Sequence, residues 1–267
     1  MIGLGSYAFF WQHSEHARPP TILFDELKRT KELGLDLFQI CDYPPIIAFS
    51  DEELRTLRSQ AFDLGITLEL GTKGIAPEHL ERFLHIAALL DVRLVRSMLT
   101  APNHFPSLLE AETLLKKSLV AYEASGVSIA LETYEQVSSV DLVSLAENIG
   151  SKHLGICLDP ANCVAALENP REVIDRCAPY VNNIHIKDFA FTRRSGWVGF
   201  TLEGVELGQG LLDLDYMIET VGPLRKSINL VVEHWLTWRD DIVETARIEN
   251  EWNVRNVAYL KGKTDVR

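Results

Sequence analysis

The chain has 267 residues, 46% of them hydrophobic and 24% charged, with a formal net charge of −12. That length suits one large domain over residues 1–267, and the acidic balance argues against a nucleic-acid partner, which needs a basic footprint. No apolar run approaches the ~20 residues of a membrane span, and no signal peptide precedes the first strand-like run, so a cytoplasmic protein that meets no membrane is expected. Cys41, Cys157, Cys163 and Cys177 show no paired CxxC spacing and read as reduced thiols.

In chain order, strand-like and helical patterns alternate. A strand begins near Ile2, and the connection after it, 9–20, carries Trp11, His13 and His16. Apolar periodicity predicts a helix over 23–33, then a strand near Leu35, a helix over 51–64 and a strand near Ile66. A helix over 77–90 opens on Pro77, as a first-turn proline should, and leads to a strand near Val92. Further helices are expected over 108–124, 140–149, 171–178, 213–221 and about 240–260, with strands beginning near Val127, His153, Val181 and Ile228. Gly34, Gly65 and Gly126 each follow a helix, where a left-handed C-cap favours glycine. Eight βα units of ~30 residues predict a closed parallel (β/α)8 barrel. A doubly wound open sheet is the alternative, but GLGSY lacks the third glycine of a phosphate loop.

One interval departs from the repeat. Between His185 and Ile228 lies FAFTRRSGWVGFTLEGVELGQG, rich in glycine and holding Arg193, Arg194, Trp197 and Phe200. So long a connection inside a compact domain is usually functional and is read as a lid, with 9–20 closing the mouth from the other side.

Four apolar runs end in polar residues: VSIALE at Glu132, LGICLD at Asp159, NNIH at His185 and INLVVE at Glu233. Strand side chains alternate faces, so parity places each of these opposite a purely aliphatic face. That pattern fits a barrel, whose strands turn aliphatic residues toward helices and others inward. Three carboxylates and an imidazole converging at strand ends predict a site for one divalent ion, Mn²⁺, Mg²⁺ or Co²⁺, with Zn²⁺ a weaker fit.

The motifs LETYEQ (131–136), CLDPANC (157–163), IHIKD (184–188) and VVEHW (231–235) resemble the xylose isomerase-like TIM-barrel superfamily of sugar isomerases, epimerases and related sugar-acid enzymes. QICDYPP (39–45), ELGTKGI (69–75) and LGQGLLD (207–213) extend the resemblance along the chain. It implies metal ligation by Glu132, Asp159, His185 and Glu233, with Glu132 and Glu233 as the acid/base pair. Many members carry histidine three residues after the aspartate; here that residue is Asn162, which can bind a substrate hydroxyl but transfers protons poorly.

The ion would polarise a carbonyl and stabilise an enediolate, while two carboxylates move a proton. Lys187 shares the parity of His185 and, with Lys73, Arg96, Arg193 and Arg194, is a candidate to hold a carboxylate or phosphate; the bland alternative is solvated or ion-paired cations. Glu69 also faces inward, to orient substrate or to pair with a lysine. Phe10, Trp11, Trp197 and Trp235 either cover a sugar face or simply pack. His234 should face outward and be structural, and His79 and His85 lie on a helix away from the chemistry. The leading expectation is an isomerase or epimerase of a small polyhydroxy ketone or sugar acid, in a chain able to form homo-oligomers. The alternative is a lyase on the same scaffold, a decarboxylase of a 3-oxo sugar acid such as 3-oxo-isoapionate or an inosose-type dehydratase. A DNA-repair endonuclease, lacking its several extra histidines here, and a non-catalytic sugar-binding module fit less well.

Overall fold

A computed structural model describes residues 1–264. Its strands are β1 (Ile2–Gly5), β2 (Leu37–Ile40), β3 (Thr67–Lys73), β4 (Leu94–Met98), β5 (Ser128–Glu132), β6 (Leu154–Leu158), β7 (Val181–Ile186), β8 (Asp188–Arg193), β9 (Phe200–Val205) and β10 (Asn229–Val232). All except β8 and β9 pair in parallel and close into an eight-stranded barrel, β1 meeting β2 on one side and β10 on the other. This is the expected architecture, and the expected strand starts fall within about two residues of the observed ones.

The helices between strands follow from amphipathic spacing and end signals. In α1 (Leu23–Glu32), Leu23 and Leu27 turn inward. α2 (Asp51–Asp63) opens with a capping box between Ser50 and Glu53. α3 (Pro77–Leu90) buries Leu80, Phe83, Ile86, Ala87 and Leu90, a stripe at helical period. α4 (Leu108–Ser125) has a second capping box, Ser107 with Glu110, and ends at Gly126 with φ 65°. α5 (Ser139–Ile149), α6 (Pro160–Cys163), α7 (Pro170–Cys177), α8 (Leu214–Val221), α9 (Pro223–Lys226) and α10 (Ile242–Thr264) complete the outer layer. Among the described residues, no helix is long and apolar enough to cross a membrane.

The barrel strands separate two environments. Ile129, Leu131, Ile156, Leu158, Ile184, Ile186, Leu230 and Val232 are buried at 1% exposure or less, on the face turned to the helices. Removing each of these from water contributes roughly 1.5–3 kcal/mol. The inner face alternates with them and carries small or polar groups. Gly71 is required there: a Cβ on it would overlap the Cα and Cβ of Cys41 on the neighbouring strand.

The interval after β7 is not an irregular loop. β8 and β9 form an antiparallel hairpin, paired from Asp188 with Val205 to Arg193 with Phe200. Its turn contains Gly196 and Gly199, both at positive φ. The hairpin base is held by Asp188, whose carboxylate accepts the backbone N–H groups of Phe189, Gly208, Gly210 and Leu212 at 2.8–3.0 Å. The LGQG turn thus wraps an aspartate, and a side chain at Gly210 would collide with it.

The connection after β1 is docked onto α10. Glu249 accepts the Trp11 N–H and the Gln12 amide, each at 3.0 Å, and Arg29 donates to Gln12 Oε1 at 2.7 Å. His13 Nδ1 lies 3.1 Å from the buried Glu26. Burial pushes the Glu249 carboxyl up to about 7, against the opposing hydrogen bonds from Trp11 and Gln12.

Two outcomes follow from these packing arrangements. Gly71→Ala should lower stability by about 1–3 kcal/mol in urea denaturation, because the added carbon has no space beside Cys41. Because folding raises the Glu249 pKa from 4.5 to about 7, its contribution is complete below the lower value and lost as pH rises through the upper one. Unfolding free energy should therefore decline across that window by at most about 3 kcal/mol on this account, and Glu249→Gln should flatten the profile.

Candidate metal centre at the mouth of the barrel

Glu132 ends β5, Asp159 follows β6, His185 lies within β7 and Glu233 follows β10. Ligand atoms from all four lie within 4.8 Å of one another, and all four residues are buried. Strand parity turns them to one face, since each alternates with an aliphatic residue turned outward, and barrel closure with its register brings them to one level.

Each of the four is positioned by its own partners. Asp159 is the N-cap of the short α6, accepting the Ala161 N–H at 3.2 Å and the Asn162 N–H at 3.4 Å. The Thr133 hydroxyl accepts the Asp159 N–H at 2.8 Å and donates to its carbonyl at 2.9 Å, strapping two strand ends together. Asn162 Nδ2 donates to Glu132 Oε1 at 3.0 Å. Cys41 Sγ donates to Glu233 Oε1 at 3.3 Å. His185 Nδ1 faces the carboxylates, 3.2 Å from Glu132 and 3.4 Å from Glu233, while Nε2 points away to Gln39 Oε1 at 2.7 Å.

Three cations balance the acids. Lys187 Nζ lies 2.9 Å from Asp159 Oδ2 and 3.2 Å from Glu233 Oε2. Arg96 Nε is 2.6 Å from Glu132 Oε2, and Arg96 also reaches Asp42 at 3.2 Å. Lys73 meets Asp42 at 2.6 Å. Burial alone would raise the Glu233 carboxyl, but His185, Lys187 and Arg96 outweigh it and hold the group at about 2. Burial likewise works against charge on Glu132, where Arg96 and His185 prevail and keep the pKa low. Burial would depress Lys187, yet Asp159 and Glu233 raise it well above the usual lysine value. Its ammonium also stands over the ring of Trp235 at 4.7 Å and that of Tyr7 at 5.4 Å.

The donor set fits a divalent ion. Glu132 Oε2 and Asp159 Oδ2 are buried and accept no hydrogen bond, despite the nearby cations. Two such oxygens beside an imidazole nitrogen and a further carboxylate are the hard donors that Mg²⁺ or Mn²⁺ takes.

Above the cluster lies a polar cavity of about 130 Å³ whose lining includes Tyr7, Asp42, Lys73, Asn162, Lys187 and Trp235. Asn162, Lys73 and Lys187 thus stand where a substrate-binding role was expected. Glu69 and Arg193 do not. Glu69 lies lower in the barrel, its carboxylate taken by Gln39, Asn183 and Asn229 at 3.0, 3.0 and 2.6 Å, and it pairs with no lysine. Arg193 is on the hairpin, its guanidinium stacked over Trp197 and Phe200. Trp197 is itself exposed, whereas Trp235 lines the cavity. His234 turns away from the mouth to Asn253 and Trp252 on α10, as its parity implies.

Several participants were not anticipated. Gln39 and Cys41 alternate with Phe38 and Ile40 in QICD, so the parity rule applied to β2 would have found them. Asp42 sits at φ 49°, an unusual conformation held by its two cations, and nothing in a strand pattern signals it. Tyr7 belongs to a helical turn after β1 and has no sequence signal.

The family model described as a xylose isomerase-like TIM barrel matches residues 27–252. A 3-oxo-isoapionate decarboxylase from Pectobacterium atrosepticum is 49% identical over 259 residues, covering 97% of this chain and 94% of that one. Among solved structures, D-psicose 3-epimerase from Clostridium cellulolyticum H10 superposes with a TM-score of 0.74 at 14% identity, over 98% of this chain and 97% of the other. A xylose isomerase-like TIM-barrel protein from Mycobacterium smegmatis, solved in complex with magnesium, gives 0.71 at 17% identity, over 96% and 97%. At such identities the two structures speak for the fold alone.

Divalent-ion binding is testable without a substrate. Mn²⁺ or Mg²⁺ added to chelated protein should raise the melting temperature, by an amount equivalent to about 2.7 kcal/mol at 100 times the dissociation constant. Asp159→Ala should remove the shift, read by calorimetric titration alongside thermal denaturation.

Proposed function

The chain belongs to the xylose isomerase-like TIM-barrel family, and from that premise we propose that it is a divalent-ion-dependent decarboxylase of a 3-oxo sugar acid such as 3-oxo-isoapionate. The observation that carries the reading is the relative of that activity, 49% identical over nearly the whole of both chains. The ion's identity is part of the proposal, with Mn²⁺, Mg²⁺ or Co²⁺ suiting an oxygen-rich donor set.

A 3-oxo acid carries its carbonyl two bonds from the carboxylate carbon. Loss of carbon dioxide breaks the bond between the carboxylate carbon and C2; that electron pair forms a double bond from C2 to the carbonyl carbon as the carbonyl π pair moves onto oxygen, and the resulting enolate then takes a proton on C2. A divalent ion held by Glu132, Asp159, His185 and Glu233 would supply a Lewis acid for the developing oxyanion. Lys187 holds the substrate carboxylate, and its Tyr7 and Trp235 walls keep the ammonium directed at the cavity. Glu132 and Glu233, on separate strands flanking the cluster, are the acid/base pair; held ionised at rest, they relay to the enolate carbon a proton taken from water. Asn162, with no proton to give, orients Glu132 and stands 3.4 Å from Lys187 Nζ.

Charge in the cavity is close to balanced. Asp42, Glu132, Asp159, Glu233 and Glu135 face Lys73, Arg96 and Lys187, and a dication with neutral His185 would bring the sum to zero. Recognition of an anionic substrate therefore rests on Lys187 and not on net charge.

The isomerase or epimerase reading has less support. The epimerases among the structural neighbours are too distant to transfer an activity. Asn162 also denies the site a second titratable group at that position.

The test is carbon dioxide release from 3-oxo sugar acids in the presence of Mn²⁺, with proton exchange on matching neutral ketoses run beside it. Lys187→Met should lower kcat/KM on the acids by roughly 10–100-fold, the worth of one charge-assisted hydrogen bond, and spare any neutral sugar. Proton exchange on ketoses without carbon dioxide release from any acid would turn the assignment to an isomerase.

A further inference from the structure

Beneath the carboxylate cluster runs a chain of buried amides that ends on Glu69. Gln39 Oε1 lies 2.7 Å from His185 Nε2. The other end of the same amide donates to Glu69 Oε2 at 3.0 Å and to Asn183 Oδ1 at 3.1 Å. Asn183 and Asn229 also aim their NH2 groups at Glu69, at 3.0 and 2.6 Å. Gln39 and Glu69 are directly paired in the β2–β3 register, so the contact is built into the barrel. Gln39, Glu69, Asn183 and His185 are all at most 3% exposed.

The direction of this chain is not arbitrary. A carboxylate only accepts, so Glu69 forces the nitrogen end of Gln39 downward and its oxygen end upward. An amide oxygen also only accepts, so the imidazole nitrogen above it must carry hydrogen. His185 Nδ1 is then the nitrogen that faces Glu132 and Glu233, the one an ion among those carboxylates would meet. Turned the other way, the Gln39 amide would point NH2 at Nε2, and the proton of a neutral imidazole would sit on Nδ1, against an incoming ion.

We propose that Gln39 and Glu69 are positioning residues for the metal centre, Glu69 setting the orientation of Gln39 and Gln39 thereby fixing His185 with hydrogen on Nε2 and Nδ1 available for ligation. This rests on the reading that the four-residue cluster holds a divalent ion. Glu69 acts at a distance from the substrate, which accounts for an inward carboxylate that never reaches the mouth. Partners of this kind behind a ligating histidine commonly change ion affinity by roughly 10–100-fold when removed.

The full-length protein tests this in two measurements, the ¹⁵N and ¹H signals of His185 with and without Mg²⁺, and calorimetric titration with Mn²⁺. In the unaltered protein a slowly exchanging Nε2–H should be present in both states, with the ion on Nδ1; ligation through Nε2, or no Nε2–H, would overturn the proposal outright. Glu69→Met should weaken Mn²⁺ binding by roughly 10–100-fold and expose the Nε2–H to fast exchange. A role confined to packing predicts a lower melting temperature with both readouts unchanged, and that result would also overturn it. If Glu69→Met does not fold, Gln39→Met carries the test, since it removes the acceptor at similar volume and should give the same loss; unaltered Mn²⁺ affinity there would refute the assignment. Absence of Mn²⁺ binding in the unaltered protein would defeat the metal-centre reading, while the Nε2–H signal still decides whether Gln39 and Glu69 orient His185.

Discussion

Four carboxylates, Asp42, Glu132, Asp159 and Glu233, share the upper throat of the barrel with Lys73, Arg96, Lys187 and His185, and the rest of the molecule has to accommodate that cluster. Apart from Lys73, which is exposed, any one of these charges buried alone would lose several kcal/mol of hydration. Their alternation offsets that loss, though burial still pushes the Asp159 carboxyl up. Lys73 meets Asp42, which meets Arg96, which meets Glu132; Lys187 then joins Asp159 to Glu233. The low pKa of Glu233 and the high pKa of Lys187 are two expressions of that single arrangement.

The barrel serves the cluster by dividing its two faces by function. The outward aliphatic residues hold the strands to the helices and are indifferent to what lies within. The inner face is layered. At the bottom, Asn183, Asn229 and Gln39 close around Glu69; the thiols of Cys41 and Cys157 and the ring of His185 lie above; the carboxylates and cations form the top. Gly71 leaves room for Cys41, which in turn reaches Glu233.

Much of this was legible before any coordinates, for a stated reason. Strands alternate with a period of two, so aliphatic runs such as SIALE and LGICLD reveal which residue at their ends turns inward. The same rule placed Lys187 beside His185 and sent His234 to the helices. It correctly turned Glu69 inward too, but parity gives the face and not the height, so a residue four positions before the end of β3 looked like one at the mouth. Arg193 stands out in the sequence as a cation of the long interval and not by parity; its strand belongs to a hairpin outside the barrel, where alternation does not define an inner face. Tyr7 and Asp42 come from connections after strands, whose shape depends on tertiary partners that no local pattern records.

The alternating charges of the throat constrain how relatives of this chain can diverge. Losing Arg96 alone would leave the buried Glu132 without its arginine, and deleting one partner of such a pair typically costs 3–5 kcal/mol, while Asp42 would keep only Lys73. Replacement of the whole set by a neutral one is far less disruptive than any single step toward it. Drift at 42, 73, 96 and 132 should therefore be correlated, with these positions exchanging together or staying put. The exposed hairpin tip around Trp197, free of that bookkeeping, can vary one residue at a time.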